Sequence, residues 1–169
     1  MVGWIRGGRY IMISSDEVFA FITQSLPYEQ RIVSYIDKNN LQHQVNKFSD
    51  IPSLNEITLK LEGMEKYSKR IWEHCKLLAI QKMFTGPVSC HLFLAQIGSP
   101  SFGRHTDPDD VIIWCTEGIK SLYVEDTKYD LNPGSSVSIP ANTPHEIINE
   151  HNSVMLSFGF EHYYIDKLV

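Results

Sequence analysis

The chain contains no C-x-x-C pair. Its three cysteines, Cys75, Cys90 and Cys115, are odd in number and widely spaced, so neither a structural zinc site nor a disulfide framework is expected. Cys90 and Cys115 sit in apolar runs and read as buried thiols, which fits a reducing, cytoplasmic setting. Long apolar runs are missing too. "VIIWC" (111–115) is among the longest, far short of the roughly 20 residues of a membrane-spanning helix, so a soluble protein without a membrane partner is expected. The N-terminus "MVGWIRGGRYIMI" has Arg6 and Arg9 but no extended apolar stretch, which argues against a signal peptide. Positive charge is scarce. The formal net charge is −5, whereas a nucleic-acid surface needs a basic footprint that Arg6 and Arg9 alone do not make. Internal repeats and low-complexity segments are absent.

What is present is ordinary globular composition, 43% hydrophobic and 21% charged, over 169 residues, enough for one domain with a real core. The two halves differ in period. "SSDEVFAFITQSL" (14–26) opens with a capping box, Ser14 to Glu17, and sets Val18, Phe21, Ile22 and Leu26 on one helical face. "SLNEITLKLEG" (53–63) predicts a second helix, capped by Ser53 and Glu56, striped by Leu54, Ile57 and Leu61 and stopped by Gly63. Met64, Tyr67, Ile71, Cys75 and Leu78 continue a helical period, and 77–84 fits helix or strand equally. "RIVSYI" (31–36) reads as a short strand.

After "TGP" (85–87), short strand-like runs follow at close intervals: 88–96, 110–115, 120–126, 136–140, 145–149 and 153–161. Glycine- and proline-rich turns separate them, the signature of a sandwich or barrel. The expected architecture is one domain over 1–169, with a helix-rich N-terminal layer (1–85) packed on a barrel core (86–169).

The chemistry-bearing residues lie in the second half. In "RHTDPDD" (104–110), His105 and Asp107 are two apart, so in extended backbone both face one way. Such a pair alone is a salt bridge, a solvated edge or half of a metal site. A second signal is "NPGSSVSIPANTPHEIIN" (132–149), where Gly134, Pro140, His145 and Asn149 stand in the pattern G-x5-P-x-G-x-x-H-x3-N. This resembles the second motif of the cupin superfamily, with only the middle glycine replaced, by Asn142, itself tolerant of left-handed backbone. The resemblance implies a double-stranded β-helix (a jelly-roll barrel) in which His105 and Asp107 come from the first motif and His145 from the second. Two histidines and one carboxylate form the facial triad of non-haem Fe(II) oxygenases, which leaves adjacent positions open. Other metal-binding cupins use a glutamate four or five residues after the second ligand; here those positions are Val111 and Ile112.

Thirteen residues after Asp107, Gly118 and Lys120 reproduce a G-x-K. In the JmjC-type hydroxylases, which include the ribosomal oxygenases, a lysine or arginine at this spacing binds the distal carboxylate of 2-oxoglutarate. Taken singly, Lys120 is a solvated strand residue by default; buried, it needs an anionic partner. The likeness to the ribosomal-oxygenase type runs over about residues 88–161. It implies an Fe(II)- and 2-oxoglutarate-dependent hydroxylase, with His105, Asp107 and His145 on the metal and Lys120 on the cosubstrate. The family's usual tyrosine on the strand before the H-x-D is replaced by Phe93, leaving Ser101, Thr106 or Ser153 as candidate hydroxyls. The family's C-terminal modules have no counterpart, so a ribosomal-protein substrate does not carry over.

Two rivals stand beside this reading. One is a cupin dioxygenase that uses the triad without 2-oxoglutarate; the other is a non-catalytic, ligand-binding barrel. His91 reads equally as a pocket residue or a satisfied core histidine, Trp114 and Phe93 as core aromatics, His151 and His162 as exposed, and Glu117 as a turn residue without a role. The prime substrate, small molecule or protein side chain, is not legible. A free barrel edge would support a homodimer.

Overall fold

Ser14 caps the first helix as its sequence dictates. In the computed structural model, which describes residues 11–162, the Ser14 hydroxyl accepts from the Glu17 N–H at 3.2 Å, and Glu17 Oε2 accepts from the Ser14 N–H at 2.9 Å. Such a cap is worth about 1 kcal/mol. Helix α1 (Ser15–Ile22) buries Val18 and Ile22. Its first residue is also tied to the far half of the chain: Ser15 donates from its backbone (2.9 Å) and its hydroxyl (2.6 Å) to the Glu117 carboxylate. Glu117 therefore has a role that its turn-like sequence context hides. A short helix α2 (Leu26–Glu29) follows. Arg6 and Arg9 lie outside the described residues.

Strand β1 (Val33–Ile36) falls where the sequence predicts it and pairs with β2 (Gln42–Gln44). The helix expected over 53–63 does not form; this segment is a turn leading into strand β3 (Thr58–Leu61). The Ser53 hydroxyl bonds Asn55 Oδ1 instead of capping, and the Glu56 N–H closes a turn on Ser53 O. The same residues carry a second period, Ile57, Leu59 and Leu61, all buried. Pairing of β3 with β1 on one side and with β4 (Val88–Ala95) on the other selects that period over the helical one. Gly63 adopts φ +64° and opens a 3₁₀ turn instead of stopping a helix. Helix α3 (Lys69–Gln81) then runs on the predicted stripe, with Ile71, Cys75 and Leu78 buried, and so assigns most of the ambiguous 77–84 segment to helix. The N-terminal half is thus helices plus three strands, not a helical layer alone.

The remaining strands are β5 (Asp110–Gly118), β6 (Lys120–Val124), β7 (Thr127–Leu131), β8 (Ser136–Ile139), β9 (His145–Ile148) and β10 (Ser153–Phe160). All but β7 coincide with the predicted runs; β7 is polar, burying only Leu131, and gives no apolar signal. The strands form a seven-stranded sheet, β2-β1-β3-β4-β10-β5-β8, facing a three-stranded sheet, β7-β6-β9, all antiparallel. This is the mainly β, jelly-roll architecture expected of a cupin.

The large sheet is covered on both faces, which is why β5 reads as a continuous apolar run rather than an alternating one. Leu156, Phe158 and Phe160 of β10 face a core shared with α1 and α3, while Met155 belongs to a second core between the sheets. Trp114 lies in the first core as expected, its indole N–H donating to Ile11 O at 3.2 Å. Each fully buried large side chain of this kind contributes about 1.5–3 kcal/mol. The β5–β6 corner admits only glycine: Gly118 has φ +71°, and a Cβ there would lie 1.9 Å from Asn152 O.

Candidate metal centre and its cavity

The two motifs are laced together through the backbone before any side chain is considered. His105 and His145 form an isolated antiparallel bridge, each N–H donating to the other's carbonyl at 2.9 Å. The Asn142 N–H donates to Asp107 O at 2.7 Å, and the Ala141 N–H to Asp110 Oδ1 at 2.8 Å. Asn142 takes φ +61°, the conformation that the missing motif glycine would supply. The tight turn 140–145 is therefore pinned along the 105–110 segment, and His105, Asp107 and His145 arrive at one place.

Their ligand atoms lie within 4.8 Å of one another. Both imidazoles are oriented alike: His105 Nδ1 bonds Gly103 O at 2.8 Å, and His145 Nδ1 bonds Thr143 O at 3.0 Å. A carbonyl only accepts, so in each ring Nδ1 carries the proton and Nε2 is left with its lone pair for a metal. His145 Nε2 stands 3.4 Å from Asp107 Oδ2. In its protonated form His145 donates from Nε2 to that oxygen as well, and this bond, opposed by partial burial and helped by the charges of the surrounding histidines, holds the Asp107 carboxyl below its usual range. Burial pushes His145 down, but the bonds to Asp107 and Thr143 outweigh it and leave its pKa raised. Two imidazole nitrogens and one carboxylate are a donor set that Fe(II) fits, and Val111 and Ile112, both buried and apolar, add no fourth ligand. The residues present fit a three-ligand metal.

The triad forms one end of a cavity of about 310 Å³. Its walls obey the strand period: His145, Ile147 and Asn149 line it from one sheet, and Met155, Ser157 and Gly159 from the other. Lys120 lines it too, although it is only 1% exposed. β6 and β9 pair Val124 with His145 and Ser121 with Ile148, so Lys120 stands one step beyond, beside Asn149. Asn149 is four residues from His145, about 13 Å along extended backbone. Lys120 Nζ donates to Asn149 Oδ1 at 2.7 Å. Among the described residues no carboxylate comes within ion-pair distance of it, and burial lowers its pKa to about 8.

His91 both lines the cavity and is satisfied. Its Nδ1 accepts from the Gly63 N–H at 3.3 Å, which puts the ring proton on Nε2, and burial lowers its pKa, so it is a neutral donor. Phe93 lines the cavity without a hydroxyl. Of the three candidate hydroxyls, Ser101 lines the cavity with its proton donated to Ile147 O (2.7 Å), Thr106 is exposed, and Ser153 is buried outside the lining. Ser89 and Ser157 line the cavity too, and a hydroxyl that sequence reading missed at the Lys120 end is Thr58, on β3. The alternation of Ile57, Leu59 and Leu61 was the signal for it. His151 and His162 are exposed, as expected.

Comparison with known proteins agrees with this fold. Residues 91–158 match the Cupin_2 family, the cupin domain. No curated protein matches the chain. Among solved structures, the ribosomal oxygenase YcfD from Escherichia coli superposes with a TM-score of 0.69 at 18% identity, over 92% of this chain and 45% of that one. YcfD structures in complex with cobalt and succinic acid, and with cobalt and 2-oxoglutarate, each give a TM-score of 0.68 at 18% identity, covering 88% of this chain and 44% of that one. The likeness is one of fold, and the chain spans less than half the length of those proteins.

Proposed function

We propose that this chain, a cupin barrel with the fold of the ribosomal oxygenases, is an Fe(II)- and 2-oxoglutarate-dependent oxygenase. His105, Asp107 and His145 would hold the iron, and Lys120 the distal carboxylate of the cosubstrate. One observation carries the reading: a cavity with a two-histidine, one-carboxylate group at one end has, at the other, a buried lysine whose only side-chain hydrogen bond among the described residues is to a neutral amide. A buried cation lacks a stable setting until an anion joins it, and a short dicarboxylate supplies an anion at each end.

Bound iron and keto acid would supply oxidative decarboxylation to succinate and carbon dioxide, coupled to hydroxylation of a C–H bond. The chain's own residues do the positioning. Gly103 O and Thr143 O fix the two imidazoles by their Nδ1 protons. Phe93, Ile147 and Met155 keep the middle of the cavity apolar and so strengthen the electrostatic contacts at its ends. His91 offers a neutral N–H into the cavity for a polar group of the prime substrate, which is either a small molecule or a protein side chain.

Anaerobic titration with Fe(II) and 2-oxoglutarate tests this without knowledge of that substrate. A weak visible charge-transfer band is expected only when both are present. It should vanish in His105→Ala with the loss of iron, and weaken in Lys120→Ala with iron retained. Phe93 in place of the family's tyrosine favours a second reading, a cupin dioxygenase whose substrate binds the metal directly. Iron bound without a band would support that one instead.

A further inference from the structure

We infer that Asn149 is the positioning residue of the Lys120 subsite, holding the ammonium group with a neutral acceptor and so leaving its charge for a ligand's carboxylate. The inference rests on the 2-oxoglutarate reading and adds to it the residue that tunes the anchor.

The amide of Asn149 has one allowed orientation. Its Nδ2 faces acceptors only: Ser99 O at 2.9 Å and Pro100 O at 3.2 Å, with the Thr58 hydroxyl at 3.1 Å. The Thr58 proton is already given to Pro100 O at 2.5 Å, so that oxygen accepts from the amide. Turning the amide over would set its carbonyl against two other carbonyls and its NH₂ against an ammonium. Oδ1 is therefore fixed toward Lys120 Nζ, 2.7 Å away. Asn149 is 6% exposed and Lys120 1%. A lysine has three N–H donors; this bond occupies one and leaves two.

An aspartate of the same shape would accept from Lys120 as well, and would bring a counter-charge. The site would then be electrically complete without a ligand. The neutral amide orients the cation without cancelling it, and the pocket stays selective for a diacid over a keto acid that lacks the distal carboxylate.

The test is equilibrium binding to the Fe(II)-loaded protein under anaerobic conditions, comparing 2-oxoglutarate with 2-oxopentanoate, which has the same chain length but no distal carboxylate. The wild-type protein is expected to prefer 2-oxoglutarate by at least about tenfold, one charge-assisted contact's worth. Asn149→Asp should lose most of that preference while its affinity for 2-oxopentanoate moves less than about twofold. Asn149→Ser, which cannot reach Nζ, serves if the aspartate variant does not fold, and should lose the preference in part. Equal weakening toward both acids, or an unchanged preference, overturns the positioning role and leaves the cosubstrate reading intact. A wild-type protein without any preference overturns the cosubstrate reading itself.

Discussion

Lys120→Met replaces a buried ammonium with an apolar chain of similar length, and its effect on stability should depend on pH in a defined direction. Burial moves the Lys120 pKa from 10.5 to about 8. At about 1.4 kcal/mol for each tenfold change in the equilibrium, holding the charged form inside the folded protein costs about 3 kcal/mol. The sign follows from proton counting. Between pH 8 and 10.5 the unfolded chain keeps the proton and the folded one has lost it, so the unfolded state binds more protons and stability rises with pH. The wild type should therefore gain about 2 kcal/mol between pH 7.5 and pH 10 relative to Lys120→Met. Urea unfolding of both proteins, without metal, at a series of pH values reads this directly. Tyrosines and other lysines titrate in both and cancel in the difference. At pH 7 the variant should be near the wild type in stability, because relief of the buried charge is offset by the lost bond to Asn149 Oδ1, about 1–3 kcal/mol. A difference that stays flat with pH, or shrinks, would mean that Lys120 has an ordinary pKa and a counter-charge, and the argument for an anion-seeking cation would fail.

Further expectations follow from other buried groups. Gly118→Ala should destabilise by more than about 2 kcal/mol, since the added methyl meets Asn152 O and the residue is left-handed; chemical denaturation measures it, and a loss under about 0.5 kcal/mol would contradict the corner geometry. His74 is buried against Trp114 and Phe158 with Nε2 unpartnered, and burial lowers its pKa from 6.5. The unfolded chain then binds the extra proton first, so this histidine contributes an acid-side loss of stability below pH 6.5. His74→Leu should flatten the wild-type decline between pH 6.5 and 5; parallel curves for the two proteins would count against it.

How much of this was legible depends on whether the signal was local. That His105, Asp107, His145 and Lys120 meet in one cavity was readable because each motif is a few residues long and its spacing is set by one strand and one turn. Asn142 was readable because the motif position it fills calls for left-handed backbone, which the structure shows; Gly118 was read only as part of G-x-K, and its own left-handed φ is a finding of the structure. Strand β3 was not, because "LNEITLKLEG" carries helical and strand periods at once, and only pairing with β1 and β4 decides between them. Thr58 was lost with it. Asn149 stands in the second motif, but its bonds to Lys120 and Thr58, 29 and 91 residues away, and that of Glu117 to Ser15, 102 residues away, are set by the fold and lie beyond the reach of any pattern. β7 was missed because a strand with one face to water and few apolar residues looks like a turn.

The pairing of β3 with β4, Thr58 through Leu61 against Ala95 through Leu92, bears on what can be moved as a unit. The matched cupin segment begins at residue 91, yet its first strand has its outer hydrogen-bonding edge occupied by the N-terminal half. A barrel cut free at that boundary would expose a row of unsatisfied backbone donors and acceptors beside an apolar face, the arrangement that recruits foreign strands. It would also drop Thr58 from the wall of its own cavity. The smallest graftable module is therefore longer than the motif that identifies it, and shuffling or fusion designs should join the chain ahead of β1.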